Sequence, residues 1–108
     1  DRNQIAVCVS LDGGLGDMLT EHLDYLKEHA NRFVVFANID WRGDGQEHEP
    51  ATWDCQRPDF GRRVASQLAD AKQRGVAGLK LFKQFGLEYK NSDGSLLKID
   101  DPRWDEIW

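Results

Sequence analysis

Two polar residues stand where a parallel β-strand would deliver chemistry. Asp40 closes the run Phe33-Val34-Val35-Phe36-Ala37-Asn38-Ile39, and Lys80 lies within Ala77-Gly78-Leu79-Lys80-Leu81-Phe82-Lys83. In parallel α/β folds the working groups sit at the C-terminal ends of the strands. A carboxylate at Asp40 can serve a ligand there, or simply close the strand-to-loop turn. Strand alternation puts Phe33, Val35, Ala37 and Ile39 on one face, and Val34, Phe36, Asn38 and Asp40 on the other. The second face turns polar toward the strand end. On the later run Leu79 and Leu81 suit a face covered by helices, which sends Lys80 to the opposite side. A Lys held there must be paired, neutral or chemically modified, and Asp40 is a candidate partner. Trp41 and Arg42 follow Asp40, and a guanidinium at Arg42 can grip a carboxylate bidentately or stay solvated.

Other motifs carry weaker signals. Gly13-Gly14-Leu15-Gly16-Asp17 has the form of a phosphate-cradling turn, and it resembles the glycine loop of starch and glycogen synthases. Those enzymes have a Lys shortly before the glycines, whereas Ser10-Leu11-Asp12 precedes them here, and Asp12 repels phosphate. His22 and His29 lie seven apart on a helical pattern, on its solvated side, with no partner at metal-site spacing. His48 sits in an acidic loop and is a weak ligand candidate. Cys8 and Cys55 form neither a disulfide framework nor a C-x-x-C knuckle. Cys8, in an apolar run, is expected to be buried.

The elements that would position these groups alternate. Ile5–Val9 is a short strand pattern. Leu15, Leu19, Leu23, Leu26 and Ala30 mark one helix face, with Asp17 expected as N-cap and Asn31 as the stop. The second strand, 33–40, leads into a loop from Trp41 to about Arg57 that is long enough to be functional. Asp59 is expected to cap a second helix with Phe60, Val64, Leu68 and Ala71 inward, and Gly75 to close it in a left-handed conformation. A third strand covers 77–83. Asn91–Ser95 is turn chemistry, and Asp101-Pro102 announces a further helix. The β-α-β-α-β order predicts three parallel strands with two full helices and the start of a third.

The chain has 108 residues and a net charge of −5. Residues 1–59 carry 5 Lys/Arg against 12 Asp/Glu, and no basic stripe of the kind nucleic-acid binding needs. The apolar runs are too short to span a bilayer, so neither nucleic acid nor membrane is an expected partner. Cysteine usage makes a reducing, cytoplasmic compartment the mild default. Four Trp residues without interleaved basic residues suggest a larger packed context, not a base-stacking surface. Three strands and two helices cannot cover both faces of a sheet, so the 108 residues read as one segment cut at both ends from a larger α/β protein.

Residues 75–108, GVAGLKLFKQFGLEYKNSDGSLLKIDDPRWDEIW, resemble the amidohydrolase-related family of metal-dependent (β/α)8 hydrolases, and the likeness extends back through Asn31–Trp41. The resemblance implies a partial (β/α)8 barrel, roughly strands two to four. It also implies a divalent metal, commonly zinc, in the parent enzyme and hydrolysis of a small-molecule substrate, with decarboxylases among the members. The family's metal ligands, a His-x-His on the first strand, His on the fifth and sixth, and Asp on the eighth, have no counterpart here. The segment is therefore expected to hold no metal or catalytic residue of its own and to be inactive alone. It would supply substrate-side groups: Asp40, Trp41 and Arg42 from one loop, Lys80 and Lys83 from the next. In related barrels an inward Lys on the fourth strand is sometimes carboxylated to bridge two metals; Lys80 would be such a ligand or an ion-paired wall residue. The alternative is a self-contained, flavodoxin-like α/β binding domain without enzymatic activity.

Overall fold

A computed structural model describes residues 2–108. The chain is mixed α/β and divides into two compact units, Asp1–Ile39 with Gln67–Lys80, and Asp40–Ser66 with Leu81–Trp108.

In the first unit, strands β1 (Cys8–Ser10), β2 (Phe33–Ala37) and β3 (Gly78–Leu79) form a parallel sheet in the order β1-β2-β3. Helix α1 (Gly16–Leu26) links the first pair, and α2 (Phe60–Gln73) precedes the third strand. The buried core joins Leu19 of α1, Val35 of β2 and Ala71 of α2, with Leu15, Leu23, Leu26 and Val76 packed around them. Apart from Val76, these are the positions whose spacing predicted helix faces and the covered side of the second strand.

Several boundaries moved. The strands are shorter than their apolar runs because pairing ends where neighbours end: Val9 remains half exposed on an edge strand with one partner, and Val7 lies before the strand, also half exposed. For the same reason Cys8 is exposed rather than buried. Asp17 does not cap α1; Leu15 occupies that position without a side-chain bond, and Asp17 lies in the first turn, where the helix dipole favours an acid. Helix α1 ends at Leu26 and tightens into a 3-10 segment, Lys27–Arg32, with His29 off helical geometry. Gly75 does close α2. At φ +94° it permits a Schellman ending, with Val76 N–H donating to the Ala71 carbonyl and Gly75 N–H to that of Lys72.

The second unit has an aromatic centre. Trp41, Phe60 and Trp104 are buried, and Trp41 stacks tilted on Phe85 at 4.3 Å and meets Trp104 edge-on at 5.0 Å. The expected C-terminal helix is only a 3-10 turn, Pro102–Trp104. Asp101 caps it as predicted, accepting from Arg103 N–H at 2.9 Å. Trp104 nonetheless anchors that turn, its Nε1–H donating to the Lys98 carbonyl at 2.8 Å. Three of the four Trp residues thus serve packing within the chain itself, not a context outside it. A single helical turn, α3 (Gln84–Leu87), leads into a hairpin-like return in which Lys90 pairs with Leu96.

Candidate functional site

At the strand ends of the first unit, Asn38 is the organising residue. Its Oδ1 accepts from Gly14 N–H at 3.0 Å, and its Nδ2 donates to the Leu11 carbonyl at 2.7 Å and the Lys80 carbonyl at 3.3 Å. One side chain therefore ties the exits of all three strands. Gly13 N–H donates to the Phe36 carbonyl at 2.9 Å, and a Cβ at Gly13 would lie 2.6 Å from that oxygen. Gly13 thus permits close approach to β2, and the amides of Gly13 and Gly14 are both already bonded within the protein. A phosphate cradle needs such amides free.

Lys80 lies on the face opposite α1 and α2. Leu79 pairs with Ala37, which belongs to the covered side, and Gly78 pairs with Phe36, whose ring carbons lie 2.9 Å from an added Cβ. Lys80 shares the parity of Gly78 and is half-buried. His22, expected on the solvated side of its helix, is half-buried and bonded to the Ser10 hydroxyl at 2.8 Å.

The remaining expected site residues belong to the second unit. Asp40 is exposed, and its Oδ1 accepts from Arg42 N–H at 3.2 Å and Gly43 N–H at 2.9 Å. That is the turn-closing role of an Asp after a strand. Trp41 is 4% exposed and is held by packing, so it presents no surface to a substrate. Arg42 and Lys83 are exposed and line separate clefts. Lys83 borders an apolar groove of about 620 Å3 with Phe82, Phe85, Leu96 and Ile99.

Arg42 borders a cleft of about 330 Å3, walled by Glu47, His48 and Trp53 of the long loop and by Gln84, Glu88 and Tyr89. The loop is built to hold this shape. It contains two 3-10 turns, Pro50–Thr52 and Asp54–Gln56. It folds back on its own start, with Asp54 N–H donating to the Arg42 carbonyl and Cys55 N–H to that of Trp41. Trp53 is buried, donates from Nε1 to the Gln46 carbonyl at 2.8 Å, and meets Tyr89 edge-on at 5.0 Å. Arg63 clamps Asp54 bidentately at 2.7 and 3.1 Å and also reaches Asp59 at 2.9 Å. The hydrogen bond from Arg63 holds the Asp59 carboxyl below its usual range, and Asp101 is lowered in the same way by Arg103. Burial pushes the Cys55 thiol up to about 11, so it is no nucleophile.

Sequence reasoning identified the loop by its length and named Arg42 and His48. It missed the cleft wall, because Trp53, Gln84 and Tyr89 meet only after the loop and the α3 segment have folded. Among the described residues no group of three His, Cys, Asp or Glu side chains converges to hold a metal ion. No helix among them is long and apolar enough to cross a membrane. Compared with protein-family models, curated proteins and solved structures, the chain matches none.

Proposed function

We propose that this chain forms part of the wall of an amidohydrolase-like (β/α)8 hydrolase that acts on a small carboxylate-bearing substrate. The observation that carries the reading is the winding of the sheet. Three consecutive strands neighbour one another in chain order, and α1 and α2 both pack on the Val35 side. A barrel has that arrangement, with helices outside and the other strand face inside. A flavodoxin-like sheet begins 2-1-3 instead. A dinucleotide-binding half-sheet shares the sequential order, but it offers backbone amides to a pyrophosphate in its first turn. Here the Gly13 and Gly14 amides are taken by Phe36 and Asn38.

In this reading the uncovered face is apolar at Val9 and Val34 and polar toward the strand exits at Asn38 and Lys80. Lys80 lends positive charge to that face, where a substrate carboxylate can meet it. The zinc that the family resemblance implies has no donor set among the described residues, and no step is routed through it.

The test is the whole reading frame that encodes this chain. Expressed in full, it should carry a His-x-His strand before this segment and a His-bearing strand after it. The purified protein should hold stoichiometric metal by elemental analysis. Replacing Lys80 with Met should lower turnover strongly, whereas replacing the helix residue Lys72 should not. A reading frame without those strands, or normal turnover in Lys80→Met, overturns the proposal.

A further inference from the structure

The cleft beside Arg42 supports an inference that does not depend on the barrel. Four ionisable side chains line it: Arg42, Glu47, His48 and Glu88. None of them makes a hydrogen bond or ion pair within the described residues. This contrasts with the neighbouring Arg63 and Arg103, each held by carboxylates. The cleft charges are thus presented rather than spent, while the backbone of Arg42 is fixed by its bonds to Asp40, Gly45 and Asp54.

The sign of the charge narrows the ligand. One guanidinium faces two carboxylates, so a simple anion would meet net repulsion when His48 is neutral. A simple cation would leave Arg42 unsatisfied. A ligand bearing both charges meets both needs: its carboxylate can take the Arg42 fork, and its ammonium can lie against Glu47, Glu88 and the Tyr89 ring. Trp53 and Tyr89 add an aromatic wall, and about 330 Å3 is the size of a small-molecule site.

We propose that this cleft binds a small zwitterion with an apolar side group, of the α-amino-acid class.

Three isosteric probes test the assignment by titration calorimetry on the full protein: L-phenylalanine, 3-phenylpropanoate without the ammonium, and 2-phenylethylamine without the carboxylate. L-Phenylalanine should bind about tenfold or more tightly than either single-charge probe, since each charge-assisted contact is worth roughly a factor of ten. The variant Arg42→Gln should weaken L-phenylalanine by about tenfold and leave 2-phenylethylamine unchanged. The double variant Glu47→Gln/Glu88→Gln should weaken L-phenylalanine and 2-phenylethylamine but not 3-phenylpropanoate. These side chains are exposed, so an unchanged circular dichroism spectrum is expected for every variant. The proposal is overturned if 3-phenylpropanoate matches L-phenylalanine, if Arg42→Gln binds all three probes as the parent does, or if L-phenylalanine shows no saturable binding. Neither metal content nor hydrolysis enters the readout, so failure here leaves the barrel reading standing, and the converse.

Discussion

Truncating Trp104 to Ala should cost about 3–5 kcal/mol of stability, the range for removing a large buried aromatic. The indole is 1% exposed, lies edge-on to Trp41 at 5.0 Å and Phe60 at 5.7 Å, and carries the Arg103 guanidinium over its ring at 4.7 Å. Its Nε1–H also satisfies the Lys98 carbonyl at 2.8 Å. Trp104→Phe keeps much of the ring packing but leaves that carbonyl without its donor, so a smaller loss of about 1–2 kcal/mol is expected. Domains of this size have about 5–15 kcal/mol in all, so the Ala variant should approach the limit of folding. Urea unfolding followed by near-ultraviolet circular dichroism reads the loss through the packed indoles. Amide exchange at Cys55 and Leu97, bonded to Trp41 and Tyr89, localises it to the second unit. A loss under about 1 kcal/mol in Trp104→Ala would show that the aromatic centre closes without residues 101–108, and would refute the role given to that turn.

Three further outcomes follow from the same geometry. Gly13→Ala should destabilise by about 2 kcal/mol or more in urea titration, since its Cβ would lie 2.6 Å from the Phe36 carbonyl oxygen; Gly75→Ala, with open space but φ +94°, should cost only about 1 kcal/mol. Under native conditions at pH 8, a thiol reagent should modify the exposed Cys8 promptly and Cys55 only after denaturant is added, because Cys55 is buried with its thiol pushed up to about 11; equal rates would contradict that burial. Asp101 titrates below its ordinary 3.8 in the folded protein because Arg103 bonds its carboxylate. Its contribution is therefore present above that value and lost as pH falls through the lower folded pKa. Asp101→Asn should flatten the acid limb of a melting-temperature profile below about pH 4, and an unchanged limb would remove the ion pair from the account.

What the sequence determined by itself was local. The spacing of Leu15, Leu19, Leu23 and Leu26 fixes a helix face, Gly75 a left-handed ending, and Asp101 a cap, though the helix expected after Asp101-Pro102 is only a 3-10 turn; each signal depends on residues within about one helical turn. The parallel order of three strands was legible for a related reason: strands separated by helix-length crossovers have few other ways to pair. Tertiary structure alone decided which cysteine is buried, since Cys8 sits on an edge with one neighbour while the loop around Cys55 closes over it. It also decided that the Gly13-Gly14 turn is a packing device, because the groups that take its amides belong to Phe36 and Asn38, far along the chain. Trp41 became core and Arg42 cleft for the same reason. Neighbouring residues diverge when one side chain finds Phe60, Phe85 and Trp104 and the other finds no partner. Ion pairs such as Arg63–Asp59, Arg74–Asp70 and Arg103–Asp101 join residues within four positions of each other, but the burial of Trp41 and Cys55 comes from contacts between distant segments, and no local pattern encodes it.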